Sequence, residues 1–446
     1  MRSDAIAAFF FCFSLVALGY IGYPLSWRYK LVPHEQISQA LAAKDLIIKK
    51  LNGRLPLPWA YIDPQENYIH SDQTEKVVMH KPEAIAPGLT LISSLAARNG
   101  VVVRIVDAKG TLIHDWDIDW FKLWPDPSHI PDADRPRTKP HIHGIALIDN
   151  GDLVFNFEEL GLIRLDICGK VLWRLPYRTH HSVHPDESGD FWVSGQIIRQ
   201  QPMAKLPNYV PPFNEFTVLK VSPAGRILTE ISVFDLLLNN GLEGLLYLSR
   251  TKKFSGDTLH LNDVETFPSS RAPGTFAPGD VMISLRDING IIVFDPKTKR
   301  IKYRSVGQIL RQHDPDFIDG NTISVFDNNT LEVLEKDSEI KDRNSRIVTL
   351  SAVDDSIEVR FTGSHHQPFF TRIMGKHQWL PNGNLLITEA RRGRVFEVDT
   401  RGAIIWEYFN IVENNVLGQI DEGQRLAPQF NRAFFEQKGG ACPAPS

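Results

Sequence analysis

The amino-acid sequence predicts an all-β fold, a six-bladed β-propeller, and three observations favour it. A unit of short apolar runs and glycine-containing turns recurs along the chain from Gly88 onward. Asparagine-glycine pairs separate alternating apolar runs, which is the strongest short-range signal of a β-hairpin. Phenylalanine and tryptophan are plentiful (25 and 9 residues) and methionine is scarce (5 residues), a composition that suits strands better than helical bundles.

The repeated unit is clearest in the second and the last of its copies. The second reads HGIALIDNGDLVFNFEELGLIRLDICGKVLWRL from His143, and the last reads KHQWLPNGNLLITEARRGRVFEVDTRGAIIWEYF from Lys376. Repeats of about 40 to 50 residues with four strands each are typical of propeller blades. Hairpin turns, with positive φ at both central residues, are predicted at Asn150-Gly151, Ser188-Gly189, Asp319-Gly320 and Asn382-Gly383. The six units begin near Gly88, His141, His180, His260, His313 and Met374.

Residues 1–30 are predicted to form a transmembrane anchor. The run Ala5–Trp27 has 23 residues without a charged side chain, and about 20 apolar residues are enough to span a bilayer. A cleavable signal peptide has a shorter apolar core and a small-residue cleavage site, so an uncleaved anchor is favoured. The chain is then divided into a helical stalk and linker (residues 31–86), the propeller (87–412) and a C-terminal extension (413–446).

Charge and cysteine content narrow the classes of function. The net charge is −4, and the basic stripes of nucleic-acid-binding proteins are missing, so no nucleic-acid partner is expected. The three cysteines form no CxxC motif, which argues against a cysteine-type zinc or redox site. Cys168 and Cys442 are able to pair in an oxidising compartment, but their spacing does not require it, and unpaired thiols are favoured. The oligomeric state is left open.

Histidines recur at one place in the repeat. A histidine precedes the hairpin glycine by six to eight residues in four units, and His260 opens the same strand of a fifth unit. That strand is the innermost of each blade, so we expect the histidines to converge at one mouth of the central channel. The four residues are His143, His181, His313 and His377. Structural histidines inherited from an ancestral repeat are the alternative, and a transition-metal site is another.

Arg286 is predicted to supply a positive charge near these histidines. It ends an apolar strand in GDVMISLRDINGIIVFD, and a buried guanidinium is costly unless it meets an anion or a carboxylate. A structural salt bridge to Asp287 or Asp263 is the alternative. Four aromatic side chains are candidates to sandwich a phenolic ring, with ordinary packing as their alternative: Trp192, Phe267, Phe317 and Trp379.

Three stretches of the sequence resemble the bacterial arylsulfotransferases. They read HLNDVETF, GDVMISLRDINGIIVFD and GQILRQHDPDFIDGNTISVFDN, and the resemblance extends over roughly residues 88–410. Members of that family are six-bladed propellers that work without a nucleotide sulfate donor. The chain lacks an obvious counterpart of their N-terminal β-domain, and the insertion between His260 and Gly279 is unusually long, so donor and acceptor specificity are left open.

The resemblance implies roles for His313, His260, Arg286 and one of His180 and His181, and assigns none to His377. His313 corresponds to the histidine that is transiently sulfated, and His260 and Arg286 to residues that bind the sulfuryl group. His180 or His181 corresponds to a fourth histidine of the pocket. The expected substrate-binding residues are His143, His377 and Asn262.

The implied reaction moves a sulfuryl group from an aryl sulfate ester to a phenol with ping-pong kinetics. It needs neither a cofactor nor a metal, and the family places the propeller on the periplasmic or extracytoplasmic side of the membrane. A non-catalytic, membrane-anchored propeller that binds or scaffolds other molecules is the alternative from a different class.

Overall fold

The computed structural model describes residues 67–97, 100–136, 140–248, 254–331 and 343–442. The predicted anchor and most of the predicted stalk lie outside these residues, so both stay predictions. Among the described residues, no helix has both the length and the apolar character that a bilayer span requires.

Six antiparallel sheets, numbered here as blades 1 to 6, make up most of the described chain. Blade 1 contains β3 (Thr90–Ala96), β4 (Gly100–Val106), β5 (Leu112–Ile118) and β29 (Ile420–Arg425). Blade 2 contains β6 (Ile142–Leu147), β7 (Leu153–Phe157), β8 (Gly161–Leu165) and β9 (Val171–Leu175). Blade 3 contains β10 (Thr179–Pro185), β11 (Phe191–Arg199), β12 (Tyr209–Val221), β13 (Ile227–Ser232) and the short parallel strand β14 (Phe254–Gly256).

The second half of the chain repeats this plan. Blade 4 contains β15 (Leu261–Thr266), β16 (Val281–Leu285), β17 (Gly290–Asp295) and β18 (Arg300–Val306). Blade 5 contains β19 (His313–Asp319), β20 (Thr322–Asp327), β21 (Arg346–Ser351) and β22 (Ile357–Thr362). Blade 6 contains β23 (Lys376–Trp379), β24 (Leu385–Glu389), β25 (Arg394–Val398), β26 (Ile404–Phe409) and β2 (Val77–Met79).

A few elements lie outside the blades. A small sheet contains β1 (Tyr68–His70), β27 (Ile411–Glu413) and β28 (Val416–Gly418). The α-helices of the described residues are α1 (Trp120–Leu123), α2 (Val233–Asn239) and α3 (Arg432–Gly439). Single 3₁₀ turns are formed by Pro82–Ala84, Asp132–Asp134, Glu243–Tyr247, Arg286–Ile288 and Ala390–Arg392.

The first strands of the six sheets contact one another in a closed cycle. The order is β29, β6, β10, β15, β19, β23 and back to β29. Each of six apolar clusters fills the space between two neighbouring blades. A ring of four-stranded sheets with cores between them is the arrangement of a β-propeller, and the predicted all-β class is confirmed.

The two ends of the described chain meet in the ring. Strand β29 pairs with β3 and so supplies the innermost strand of blade 1 from the C-terminal side. Strand β2 pairs with β26 and adds a strand to blade 6 from the N-terminal side. The ring therefore extends beyond the predicted boundaries at residues 87 and 412, because closing it needs strands from both ends.

The glycine hairpins follow a different turn geometry from the predicted one. Positive φ occurs at Gly151 (93°) and Gly383 (85°) but not at the asparagines before them. The main-chain N–H of Gly151 donates to the carbonyl of Ile148, and the main-chain N–H of Ile148 donates to the carbonyl of Asp152. This pattern is a type I turn followed by a left-handed glycine, in which only the glycine needs positive φ.

Cys168 and Cys442 form a disulfide, contrary to the favoured expectation of unpaired thiols. Their sequence separation is 274 residues, so the pairing depends on ring closure, which local spacing cannot reveal. The disulfide joins the turn between β8 and β9 to the segment that follows α3.

Candidate active site

The site is built on irregularities in the innermost strands. The register of β6, β10, β15, β19 and β29 shifts by one or more residues near its start. A β-bulge of this kind redirects a side chain and is common near active sites. The histidines of the repeat lie at or beside these bulges, which is why they leave the regular alternation of the strand.

His143, His180 and His313 hold equivalent positions, because each pairs with the second strand of its blade just before the bulge. The next residue in each case has positive φ: Gly144 (75°), His181 (57°) and Asp314 (50°). Glycine is needed at 144, since a Cβ there would lie 1.8 Å from the carbonyl oxygen of His181. Blades 2 and 3 therefore approach closely, and the ring centroids of His143 and His181 are 4.4 Å apart.

Three residues that directly follow the second strand of their blades also face the histidines. Glu158 follows β7, Arg286 follows β16, and Asn328 follows β20. All three are buried. The repeat thus places a carboxylate, a guanidinium and an amide at corresponding points of blades 2, 4 and 5.

The protonation of His313 is defined by Asn328. The amide nitrogen of Asn328 donates to the carbonyls of Thr371 (2.9 Å) and Met374 (2.7 Å), which orients its oxygen toward Nδ1 of His313 at 2.7 Å. An amide oxygen only accepts, so Nδ1 of His313 carries the proton and Nε2 has a lone pair. This lone pair accepts a hydrogen bond from the main-chain N–H of Met374, with 3.3 Å between the two nitrogens.

His260 is held by Asp257, three residues earlier in the chain. One carboxylate oxygen accepts from the main-chain N–H of His260 at 2.9 Å, and the other is hydrogen-bonded to Nδ1. The backbone of His260 has a φ of 52°, which is unfavourable for a residue with a Cβ, and the two hydrogen bonds stabilise it.

His181 is held in a similar way by Glu158. The main-chain N–H of His181 donates to one carboxylate oxygen at 3.3 Å, and Nδ1 lies 3.3 Å from the other. Nδ1 is also 2.9 Å from Nδ1 of His180, and Nε2 is 3.1 Å from Nε2 of His260. His143 Nδ1 approaches the same carboxylate at 3.4 Å. A carboxylate and several imidazoles thus form one connected group.

Arg286 forms a salt bridge to Asp287 and also retains donor groups for an anion, so both alternatives considered for it apply. Its Nε donates to Asp287 at 3.0 Å, and Arg311 approaches the same carboxylate at 3.1 Å. Within the part of the chain that the structure describes, no hydrogen bond involves the terminal nitrogens of Arg286. Arg286 and Arg311 share the Asp287 carboxylate and both lie near the Asp257 carboxylate. The charge of Arg286 also acts on His260 and His313.

The histidines of this group are held neutral. Burial lowers the pKa of His313 well below its usual range, and the charge of Arg286 lowers it further. Burial followed by Arg286 does the same to the pKa of His260. Burial lowers the pKa of His143 to about 3 and that of His180 to about 4. Neutral imidazoles are the form that can act as nucleophiles or proton acceptors.

His377 and Asn262 take other positions than expected. His377 Nδ1 is 2.9 Å from Asp314 and Nε2 is 2.6 Å from the hydroxyl of Ser324. The main-chain N–H of Met374 contacts His313 instead, and the register of β23, unlike that of the other innermost strands, is regular. Asn262 donates to the carbonyl of Gln312 at 2.7 Å, so its amide links the inner strands of blades 4 and 5.

His377 faces a cavity of about 200 Å³ further along the inner strands. Its charged lining residues include Asp263, Glu265, Asp314, Asp316, Lys376 and Glu422. Lys376 is paired with Asp314 at 2.8 Å.

The four candidate aromatic residues do not surround the histidines. Phe267 and Phe317 pack edge to face in the core between blades 4 and 5. Trp192 is buried in the core between blades 3 and 4, and Trp379 packs against the one between blades 5 and 6. They therefore take part in ordinary packing between blades, the alternative considered for them.

Two groups of the described residues have ligand atoms close enough for a metal ion. One is His143, Glu158 and His181, and the other is Asp314, Asp316 and His377. In the first group the contacts between Glu158 and the two rings, 3.3 and 3.4 Å, are equally those of weak hydrogen bonds.

Sequence reasoning missed Glu158, Asp257, Asn328 and Arg311. Asn328 directly follows β20 and is the last residue of the stretch GQILRQHDPDFIDGNTISVFDN, which carries the family resemblance. Asp257 stands three residues before His260, a spacing that allows a local hydrogen bond. Glu158 acts on a histidine of the next blade, and no local pattern reveals that contact.

Comparisons with known proteins agree with this arrangement. The sequence profile of the family described as Arylsulfotransferase (ASST) matches residues 144–411. Among proteins of curated function, none matches the chain by sequence.

Solved structures give distant likenesses. A protein of unknown function from Bacteroides caccae is 12% identical, with a TM-score of 0.45, over 75% of this chain and 98% of that one. Virginiamycin B lyase from Staphylococcus aureus is 8% identical, with a TM-score of 0.37, over 79% and 98%. The Dos1 propeller is 11% identical, with a TM-score of 0.37, over 74% of each chain. Likenesses this distant support no conclusion about this chain.

Proposed function

The chain belongs to the arylsulfotransferase (ASST) family, and we propose that it transfers a sulfuryl group from an aryl sulfate ester to a phenolic acceptor through a covalent intermediate on His313. One observation carries the proposal: a buried, neutral imidazole has its unprotonated Nε2 in a site that also contains the guanidinium of Arg286. A histidine attacks sulfur only through such a lone pair.

The positive charge has two effects on this chemistry. It disfavours protonation of His313, and so keeps the nucleophile available at neutral pH. It also attracts the sulfate oxygens, on which negative charge spreads during transfer, as in phosphoryl transfer. The terminal nitrogens of Arg286 are suited to bind two oxygens at once, and Arg311 adds a second cation across Asp287.

The reaction divides into two balanced halves. In the first, Nε2 of His313 forms a bond to sulfur while the bond from sulfur to the aryl oxygen breaks, and the departing phenolate takes a proton from a neighbouring histidine. In the second, the acceptor phenol returns a proton to that histidine as its oxygen displaces Nε2 from sulfur. Splitting one transfer into two through a covalent intermediate gives ping-pong kinetics.

We further propose that the propeller works outside the cytoplasm. The Cys168–Cys442 disulfide supports this, because such bonds persist mainly in oxidising compartments. The transmembrane anchor predicted at residues 1–30 is compatible with it.

The direct test is a mass measurement. Brief exposure of the full-length protein to 4-nitrophenyl sulfate should add one sulfuryl group to the peptide that contains His313. His313→Asn should lose the adduct and at least about 10³-fold of the transfer rate, since removing a nucleophile costs that much or more. His365→Asn, at an exposed histidine, is the matched control and should behave as wild type.

Transfer that persists in His313→Asn would overturn the role of His313. A folded protein that transfers no sulfuryl group from any aryl sulfate, and forms no adduct, would favour the non-catalytic binding module instead.

A further inference from the structure

His181 and His260 face each other through nitrogen atoms that repel when both are unprotonated. The two Nε2 atoms are 3.1 Å apart, and the rings are nearly perpendicular at 87°. Two lone pairs at this distance repel, whereas one proton between them makes a hydrogen bond. The resting geometry therefore places one proton on this pair of nitrogens, and a pair that has given this proton away readily takes up another.

The surrounding hydrogen bonds decide which ring carries that proton. Asp257 is hydrogen-bonded to Nδ1 of His260, so a neutral His260 has its proton on Nδ1 and a lone pair on Nε2. His181 must then carry a proton on Nε2. Its Nδ1 becomes an acceptor, and His180 donates to it at 2.9 Å.

Glu158 can replace the proton that the His181–His260 pair gives away. When Glu158 is protonated and His180 carries its own proton on Nε2 instead, Glu158 can donate to Nδ1 of His181 across 3.3 Å. If that proton moves to His181, the pair becomes an imidazole and an imidazolium that share one proton, and the carboxylate carries the negative charge. Both arrangements contain the same number of protons. Loss of the shared proton can thus be compensated from the other side of the ring.

We propose that His181 and His260 act together as one proton donor and acceptor in sulfuryl transfer, with Asp257 and Glu158 as its positioning residues. This rests on the function proposed above. In the first half-reaction, the shared proton passes to the phenolate oxygen as the bond to sulfur breaks, while Glu158 gives its proton to Nδ1 of His181. In the second, the acceptor phenol returns a proton to the pair, and Glu158 is protonated again.

The roles of the two carboxylates differ. Asp257 holds the ring of His260 through Nδ1, and holds its backbone through the main-chain N–H, so that Nε2 always faces His181. Glu158 comes from blade 2 and supplies the compensating proton. The pair spans blades 3 and 4, beside the blade 5 nucleophile, whose pKa responds to His260.

One test of the pair does not depend on activity. Nuclear magnetic resonance of the full-length protein with ¹⁵N-labelled histidine should show a nitrogen–nitrogen coupling through the hydrogen bond between the Nε2 atoms. The coupling should disappear in His181→Gln. Asp257→Asn should weaken or abolish it, because one of the two oxygens that bind the main-chain N–H and Nδ1 of His260 becomes an NH₂ donor, so both can no longer be accepted at once. Two uncoupled Nε2 signals in the folded wild type would overturn the shared proton.

A second test uses the leaving group. Phenyl sulfate releases a basic phenolate that needs a proton, whereas 4-nitrophenyl sulfate releases a stable one that does not. Asp257→Asn should lower kcat by about 10²-fold for phenyl sulfate, a loss typical of general acid catalysis, but by less than about 10-fold for 4-nitrophenyl sulfate, with little change in KM. Glu358→Gln, at an exposed carboxylate of β22, is the control and should affect neither.

The outcomes separate the two proposals. Equal losses for both donors in Asp257→Asn would mean that Asp257 serves only the fold, and would overturn its positioning role. A coupling without any sulfuryl transfer would leave the shared proton standing and remove the proposed reaction. Transfer through His313 without the coupling would support the proposed reaction and overturn the shared proton.

Discussion

Individual histidines in this site are fixed by carboxylates in a recurring way. Asp257 and His260, Glu158 and His181, and Asp314 and His377 each form what we call a carboxylate clamp, in which one carboxylate binds both the main-chain N–H and Nδ1 of the same histidine. His181, His260 and Asp314 also have positive φ. Backbone conformations of this kind cost about 1 to 3 kcal/mol each and persist only where the surroundings impose them. The clamps supply that constraint.

Gly144→Ala should be strongly destabilising. The new Cβ would lie 1.8 Å from the carbonyl of His181, in a backbone with a φ of 75°, so both the contact and the strain oppose it. We expect a loss of about 3 kcal/mol or more in the free energy of unfolding, measured by urea denaturation. Gly241→Ala is the control, since φ there is 70° but no atom lies within 4 Å, and strain alone costs about 1 kcal/mol. Equal losses would show that the contact between blades 2 and 3 is not tight.

The rate of sulfuryl transfer from phenyl sulfate should fall as pH rises through about 7, because burial raises the pKa of Glu158 to about 7. Above that pH the carboxyl group has lost the proton that it passes to His181. Glu158→Gln has a hydrogen-bond donor but no proton to transfer, so it should remove this dependence and leave the rate near the level that wild type reaches at high pH.

His313 should not cause a fall in the same profile on the acid side. An ordinary histidine is half protonated near pH ~6.5, but burial and Arg286 hold the pKa of His313 well below that. A rate that drops as pH falls from 7 to ~6 in wild type and in Glu158→Gln alike would contradict a neutral His313. Initial rates at saturating donor are the measurement.

At the scale of the element, the repeat places a residue at the same point of each blade, and the blades differ in which side chain stands there. The residue after the second strand is Glu158 in blade 2, Arg286 in blade 4 and Asn328 in blade 5, so corresponding points provide a base, a cation and a tautomer-fixing amide. Recurrence in the sequence was enough to predict that His143, His181, His260 and His313 converge.

The same recurrence failed at blade 6, whose innermost strand has a regular register whereas those of blades 2 to 5 carry bulges. His377 lies six residues before its glycine, against seven or eight for the other three histidines of this pattern, and its ring turns to Asp314 and the cavity beside it. A bulge is set by contacts between blades, as at Gly144, and those contacts join residues distant in sequence. Asp257 and Glu158 escaped prediction for the same reason: their partners are defined by the folded inner strands.

Strand β29 should be indispensable to the ring. A chain that ends at Gly418 lacks the innermost strand of blade 1, which exposes the apolar residues of β3 and leaves blades 2 and 6 without a neighbour on the axis. We expect no cooperative thermal transition by circular dichroism. A chain that ends at Phe430 keeps β29 but loses α3 and the disulfide partner Cys442, and should still unfold cooperatively, although less stably. Failure of both chains would instead place the requirement in α3 or the disulfide.

For the whole molecule, three links close the ring: β29 in blade 1, β2 in blade 6, and the disulfide between blade 2 and the C-terminal segment. A site assembled from blades 2 to 6 depends on this closure, because His143 and His313 reach the axis from different blades. The number of blades was readable from the repeat. The strands that close the ring were not, since they come from segments without the repeat pattern.

Cys442→Ser should lower the stability of the ring without changing its fold. The disulfide spans 274 residues, and cross-links over long loops stabilise by about 3 to 5 kcal/mol, in the common account by restricting the unfolded chain. Cys168→Ser should lower the melting temperature equally, and the double variant should match either single one, because all three remove the same bond. Dithiothreitol should reproduce the shift in wild type and have no effect on the variants. Single variants whose effects add, or a wild type insensitive to the reductant, would mean that the two cysteines are not joined in the folded protein.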